Sequence, residues 1–171
     1  MDIPDPGVLV DDFRNLVYHL VNRLIRDPAA REEVFQEVFL NIFRSLPGFE
    51  GKSKLSTWIA SVAVNTCFGH VRKTKKDGLL VSLDEWLENE ENPGPPSSAG
   101  EAEERSETRL LLERHLDRLP PIYKIPICLF YFEGRSYEDV AAIMNIPLGT
   151  VKIRLFRGLR RLRQSLEGAL R

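Results

Sequence analysis

Between Glu88 and Glu107 the chain reads ENEENPGPPSSAGEAEERSE. Nothing in that stretch repeats at the spacing of a helix or a strand. Proline, glycine and serine interrupt it, and its charges are nearly all acidic. Such a segment cannot bury enough apolar surface to offset the entropy of ordering it, so it reads as a flexible linker. A break of this length divides the chain of 171 residues in its middle, and two small domains are expected. The expected division is residues 8–76, an acidic linker over 77–107, and residues 108–168. LLVSLDEWL (79–87) is apolar enough to dock as a short helix.

Both flanks carry helical periodicity, and the expected fold class is all-α. On the N-terminal side, Phe13, Leu16, Val17, Leu20 and Leu24 form one stripe. Asp27-Pro28 ends that helix and permits a second from about Ala30 to Leu46, which PGFEG stops. A third runs from about Ser56 to Lys73. Its apolar residues Trp58, Ile59, Val62, Val64, Phe68 and Val71 nearly encircle it, which makes it the central helix of a three-helix bundle.

The C-terminal side predicts four helices. One covers about Glu103 to Asp117. The next runs from about Pro121 to Phe132, with Pro126 expected to kink it or delay its start. Then SYEDVAAIMNIPLGTVKIRLFRG gives a short helix, a tight turn and a long helix. Ser136 is a natural N-cap with Asp139 three residues on, and Asn145 sits where a left-handed residue would end the short helix. This is a helix-turn-helix pattern.

Charge is distributed unevenly. Seven basic residues and one acid lie between Gly149 and Arg171, a net of +6, although the whole chain has a formal charge of −1. Glu85 to Glu107 carries eight acids and one base, a net of −7. HVRKTKK (70–76) adds Arg72, Lys73, Lys75 and Lys76. Sign separation of this kind indicates surfaces with different partners.

On a helical wheel, Val151, Leu155, Leu159, Leu162 and Leu166 should face the core. Arg154, Arg157, Arg160, Arg161 and Gln164 fall opposite, with Lys152 nearby and Ile153 and Phe156 among them or at the edge. The basic residues lack i,i+4 acids to pair with, and an apolar Ile153 stands on the polar face near the helix start. A recognition helix reaches base edges from there, and an apolar side chain can meet a thymine methyl. On the second helix, Glu33, Gln36, Glu37 and Arg44 form an outer face with Leu40 in its middle and Phe43 at its margin. That arrangement suits a small protein–protein hot spot.

Other chemistry is poorly supported. Cys67-x-x-His70 offers two ligands where zinc takes about four. No phosphate-binding glycine loop or nucleophile elbow is present. No cofactor, metal, catalytic residue, lipid or small-molecule substrate is expected. Cys67 and Cys128 read as buried reduced thiols of a cytoplasmic protein. The start of the chain lacks a signal peptide's basic and apolar regions, and no apolar run spans a bilayer.

AAREEVFQEVFLNIFRSLPGFEGKSKLSTWIASVAVNTCFGHVRKTKK resembles region 2 of bacterial sigma factors of the extracytoplasmic-function group. LPPIYKIPICLFYFEGRSYEDVAAIMNIPLGTVKIRLFRGLRRLRQSL resembles their region 4. The resemblance implies a dissociable promoter-specificity subunit of RNA polymerase. Glu33, Gln36, Glu37 and Leu40 would meet the polymerase clamp helices. Asn65 would lie by a flipped-out base of the −10 element, with Arg72, Lys73, Lys75 and Lys76 along the strand. Lys152, Ile153, Arg154, Phe156, Arg157, Arg160 and Arg161 would serve the −35 element, and the same domain would touch the polymerase flap. The acidic linker would follow a channel built for nucleic acid. An anti-sigma factor is an implied partner. Trp58 reads as a helix-start anchor ahead of a base-stacking platform. The residues alone leave open a stand-alone helix-turn-helix regulator with a sensing or dimerising N-terminal bundle.

Overall fold

The computed structural model describes residues 5–74 and 107–169. Seven α-helices and no strand occur among the described residues. They fall into two compact units. The expected docking helix 79–87, the acidic linker to Ser106, Lys75, Lys76 and the start of the helix expected from Glu103 lie outside the described residues.

The N-terminal unit contains α1 (Pro6–Leu24), α2 (Pro28–Ser45) and α3 (Leu55–Thr74). The first two start the same way. The Asp5 carboxylate accepts from Gly7 N–H at 2.8 Å, and the Asp27 carboxylate from Ala29 N–H at 3.0 Å. In each case a proline holds the first helical position, where its missing N–H costs nothing. Each cap is worth about 1 kcal/mol. Arg31 Nε donates to the Ile25 carbonyl at 3.0 Å and closes the corner between α1 and α2. The stop at PGFEG is a 3₁₀ turn, Leu46–Gly48, followed by Gly51 at φ +70°. Only glycine takes that conformation without penalty.

All three helices pack on one another. Leu9, Val17, Leu20 and Val21 of α1 are buried, as are Val34, Val38, Phe39 and Ile42 of α2, and Ile59, Ala60, Ala63, Val64 and Cys67 of α3. The small side chains of α3 let both neighbours approach it. A polar link joins α2 to α3: Asn41 Nδ2 donates to Thr66 Oγ1 at 3.1 Å.

The C-terminal unit contains α4 (Glu107–Asp117), α5 (Pro121–Ile127), α6 (Tyr137–Met144) and α7 (Leu148–Ala169). Pro126 neither breaks α5 nor delays it. The turn after it widens into a π-helix, Cys128–Phe132, in which Glu133 N–H reaches the Cys128 carbonyl at 3.1 Å. Pro126 lacks the N–H that would bond the Ile122 carbonyl, so the helix continues past it with that rung missing. The α6–α7 turn forms as its chemistry requires. Ser136 Oγ accepts from Asp139 N–H at 3.0 Å and donates to the Asp139 carboxylate. Asn145 takes φ +52°, with Ile146 N–H on the Ala141 carbonyl and Asn145 N–H on the Ala142 carbonyl. That is a Schellman ending.

α7 packs on α4 and α5. Val151, Leu155, Gly158 and Leu162 form its buried seam. The wheel assigned Leu159 to that seam, but it is 37% exposed. Gly158 takes the inward place because α5 lies against it. A Cβ there would stand 2.9 Å from Ile127 Cδ1 and 3.0 Å from Tyr123 Cβ. Two buried polar pairs were not legible beforehand. His115 Nδ1 lies 2.5 Å from Ser165 Oγ, joining α4 to α7, and Lys124 Nζ lies 2.7 Å from Asp117 Oδ1.

Candidate functional site

Three surfaces carry the candidate residues. On α2, Glu33 and Gln36 are exposed, Glu37 is half-buried, and Leu40 is 52% exposed. The core residues of α2 lie on its other side, which turns Leu40 outward as the periodicity requires. Phe43, one turn on, is half-buried, and Arg44 is exposed. Gln36 donates to Glu32 at 2.9 Å, so part of this rim is tied along its own helix. Lys73 Nζ lies 4.0 Å from Glu37 Oε1, so the end of α3 borders the same surface.

Beneath this face Cys67 is fully buried; neither it nor the buried Cys128 of the other unit is in a disulfide. Burial pushes the Cys67 thiol up to about 12; a backbone hydrogen bond opposes the shift and the Glu37 charge adds to it. A thiol held protonated in this way is unreactive.

The second surface is a strip of α3. Trp58, Ser61, Asn65, Gly69 and Arg72 recur at helical spacing on one side. Asn65 and Arg72 are exposed, and the others are half-buried. A Cβ at Gly69 would meet nothing within 4 Å among the described residues, so none of the described elements closes over the strip there. Trp58 packs its ring on Phe49 at 5.1 Å, which makes it the expected helix-start anchor. It also shares the strip with Asn65, a relation that single-residue reading missed and the i, i+3, i+7 spacing would have revealed.

The third surface is the outward side of α7. Lys152, Ile153, Phe156, Arg157, Arg160 and Arg161 are all exposed. Ile153 is 52% exposed and Phe156 68%. Three placements differ from the wheel's simple division. Arg154 is half-buried at the flank of the seam, not on the outward stripe. Arg161 lays its guanidinium over the Tyr123 ring, 5.1 Å from the centroid, which draws it toward α5. Lys152 lies 5.8 Å from the Tyr137 ring centroid, linking the starts of α6 and α7. One charge does have an i,i+4 partner: Arg163 Nε donates to Glu167 at 2.8 Å, and that carboxylate raises the guanidinium pKa. Ile153, Arg157 and Arg160 therefore form the basic outward stripe, with Phe156 at its side.

The family models agree with this division into units. The model for Sigma-70 region 2 matches residues 9–77, and that for Sigma-70, region 4 matches residues 109–162. The ECF RNA polymerase sigma-E factor of Escherichia coli (strain K12) is 32% identical over 155 residues, covering 88% of this chain and 81% of that protein. The chain belongs to the extracytoplasmic-function sigma factors. Such a subunit binds core RNA polymerase and directs promoter-specific transcription initiation, and the family is one of non-enzymatic transcription regulators.

Further relatives of this sigma factor are the RNA polymerase sigma-H factor of Pseudomonas aeruginosa and the ECF RNA polymerase sigma factor SigW of Bacillus subtilis. Each is 29% identical; they cover 96% and 92% of this chain and 87% of their own lengths. Among solved structures, the sigma factor RpoE from Bartonella quintana, in complex with the anti-sigma factor NepR, aligns with a TM-score of 0.74. Its identity is 21%, over 94% of this chain and 96% of that one. CnrH, in complex with the cytosolic domain of CnrY, aligns at 0.67 with 16% identity, over 95% and 88%. Likeness at these identities establishes the fold.

Proposed function

We propose that the three surfaces divide the work of initiation. The α2 face of Glu33, Gln36, Glu37 and Leu40 docks on the clamp helices of the polymerase. The α3 strip takes the unpaired −10 strand, with Asn65 beside a flipped-out base and Arg72, Lys73, Lys75 and Lys76 on phosphates. α7 enters the major groove of the −35 element, and the same unit meets the polymerase flap. The linker runs through the polymerase, where acidic residues suit a channel built for nucleic acid. An anti-sigma factor occludes one or more of these faces until it is released, and the protein works in the cytoplasm.

The observation that carries this reading is α7. Its inward side is closed by Val151, Leu155, Gly158 and Leu162, and its outward side presents Ile153, Arg157 and Arg160, which are exposed among the described residues. A phosphate backbone calls for cations of one sign, and base edges call for side chains near the start of the helix.

Transcription by core polymerase with and without this protein, on a genomic promoter library, tests the whole assignment. The expected result is discrete start sites that require both components, with little promoter affinity for the protein alone. Tight, specific binding of the protein alone to symmetric half-sites would overturn it. For the α3 strip, Asn65→Ala should leave closed complexes intact and reduce permanganate reactivity of promoter thymines. A pre-melted bubble template should rescue the variant, and failure of rescue would remove Asn65 from strand opening.

A further inference from the structure

We infer that Ile153 reads the 5-methyl group of a thymine in the −35 element; this rests on the placement of α7 in the major groove proposed above. Ile153 lies in the second turn of α7 and is 52% exposed, on the side away from the Val151–Leu155–Gly158–Leu162 seam. The rotation of α7 about its axis is fixed. Gly158 is pressed against Ile127 and Tyr123 with no room for a Cβ, so the helix cannot turn Ile153 inward. An apolar side chain held in that position has no hydrogen bond to offer a base edge. What the major groove presents to an apolar group is the thymine methyl. The surrounding charge selects the occupant. Lys152, Arg157 and Arg160 are exposed around Ile153 and its stripe, which suits a polyanion and disfavours an apolar protein partner. Arg157 is one turn further along the same face, about 6 Å along the axis. The thymine should therefore fall within about two base pairs of the position that Arg157 reads.

The test uses holoenzyme, meaning core polymerase with the full chain, and a promoter fragment it selects from a library randomised in the −35 element. Each thymine of the selected element is replaced singly by deoxyuridine on either strand, which removes only the methyl group. The expected result is a loss of binding of about threefold to fivefold at one thymine, as burial of one methyl-sized group gives. Ile153→Ala should bind thymine and uracil equally at that position, while Ile153→Val keeps part of the difference. The inference is overturned if no uracil position affects the parent holoenzyme, or if the effect persists undiminished in Ile153→Ala. It is also overturned if the effect vanishes only in Phe156→Ala, which would give the methyl to Phe156. Arg157→Ala, put through the same selection, separates the levels. If it leaves the selected −35 sequence unchanged, the groove placement of α7 falls and the inference falls with it. If it relaxes one position while uracil has no effect, the thymine contact alone is lost.

Discussion

Leu40 on α2 and Ile153 on α7 are equally exposed, each 52%. Their surroundings are opposite. Around Leu40 the rim mixes Glu33, Gln36, Glu37 and Arg44, and parts of it are tied to Glu32 and Lys73. Around Ile153 stand Lys152, Arg157 and Arg160, and the nearest acid on the helix, Glu167, serves Arg163. A mixed, partly self-paired rim around one apolar residue suits a protein surface, where a dry centre supplies affinity and the rim supplies orientation. A rim of one sign is costly unless a polyanion covers it. Similar amphipathic helices thus differ in the sign pattern around the apolar centre, and that difference is what the proposed division of partners rests on.

The largest effect should come from breaking the protein-facing side. Leu40→Asp places a charge in the centre of the proposed polymerase contact. It should weaken core binding by about 3 kcal/mol or more, over a hundredfold, with the fold intact because the site is exposed. Pull-down with core polymerase and circular dichroism check this. Unchanged binding, or an unfolded variant, would remove Leu40 from the contact.

Arg157→Ala should cost about 1–3 kcal/mol of promoter binding and relax preference at one −35 position. Selection from promoter variants with holoenzyme measures it. A uniform loss across all sequences would move Arg157 from bases to phosphates and blur the contrast with α2.

Gly158→Ala tests what aims the basic stripe. Overpacking against Tyr123 and Ile127 costs about 1–3 kcal/mol, and alanine's better helix propensity returns about 1 kcal/mol. A net destabilisation of about 1 kcal/mol should appear in denaturant unfolding. Leu159→Ala, at an exposed position, should change stability less. The reverse order would restore the seam read from the wheel.

The smallest effect belongs to Arg161. Its guanidinium already rests on Tyr123. Arg161→Ala should leave −35 preference unchanged and lower the salt slope of binding by about one unit. Titrations at two or more salt concentrations decide it. A shift in sequence preference here, without one at Arg157, would mean that α7 sits in the groove on a different face.

Local chemistry was legible from sequence because its partners lie within a few residues. Asp27-Pro28 breaks the chain wherever it occurs, and Ser136, Asp139 and Asn145 set the ends of α6 through bonds to their own backbone. The outward direction of Leu40 and Ile153 followed from period alone, because each lies well away from its buried stripe. The three-helix and helix-turn-helix units, and the family resemblance with them, were visible at this level.

What only the tertiary structure decided lies where a helix meets its neighbour. Positions near the edge of a wheel can face in or out, and the wheel cannot say which. Gly158 is inside and Leu159 outside because α5 approaches α7 at the residue without a side chain. Arg154 is half-buried and Arg161 drawn onto Tyr123 for the same reason: the second helix exists on that side. Pro126 stays within a helix, and the turn after it is a π turn. The Asn41–Thr66, His115–Ser165 and Lys124–Asp117 pairs join groups that periodicity cannot bring together. Sequence by itself determined which faces are apolar, which are charged and where each helix stops, since those depend on neighbours along the chain. Packing decided which charges stay exposed, since that depends on which surface an adjacent helix has already taken.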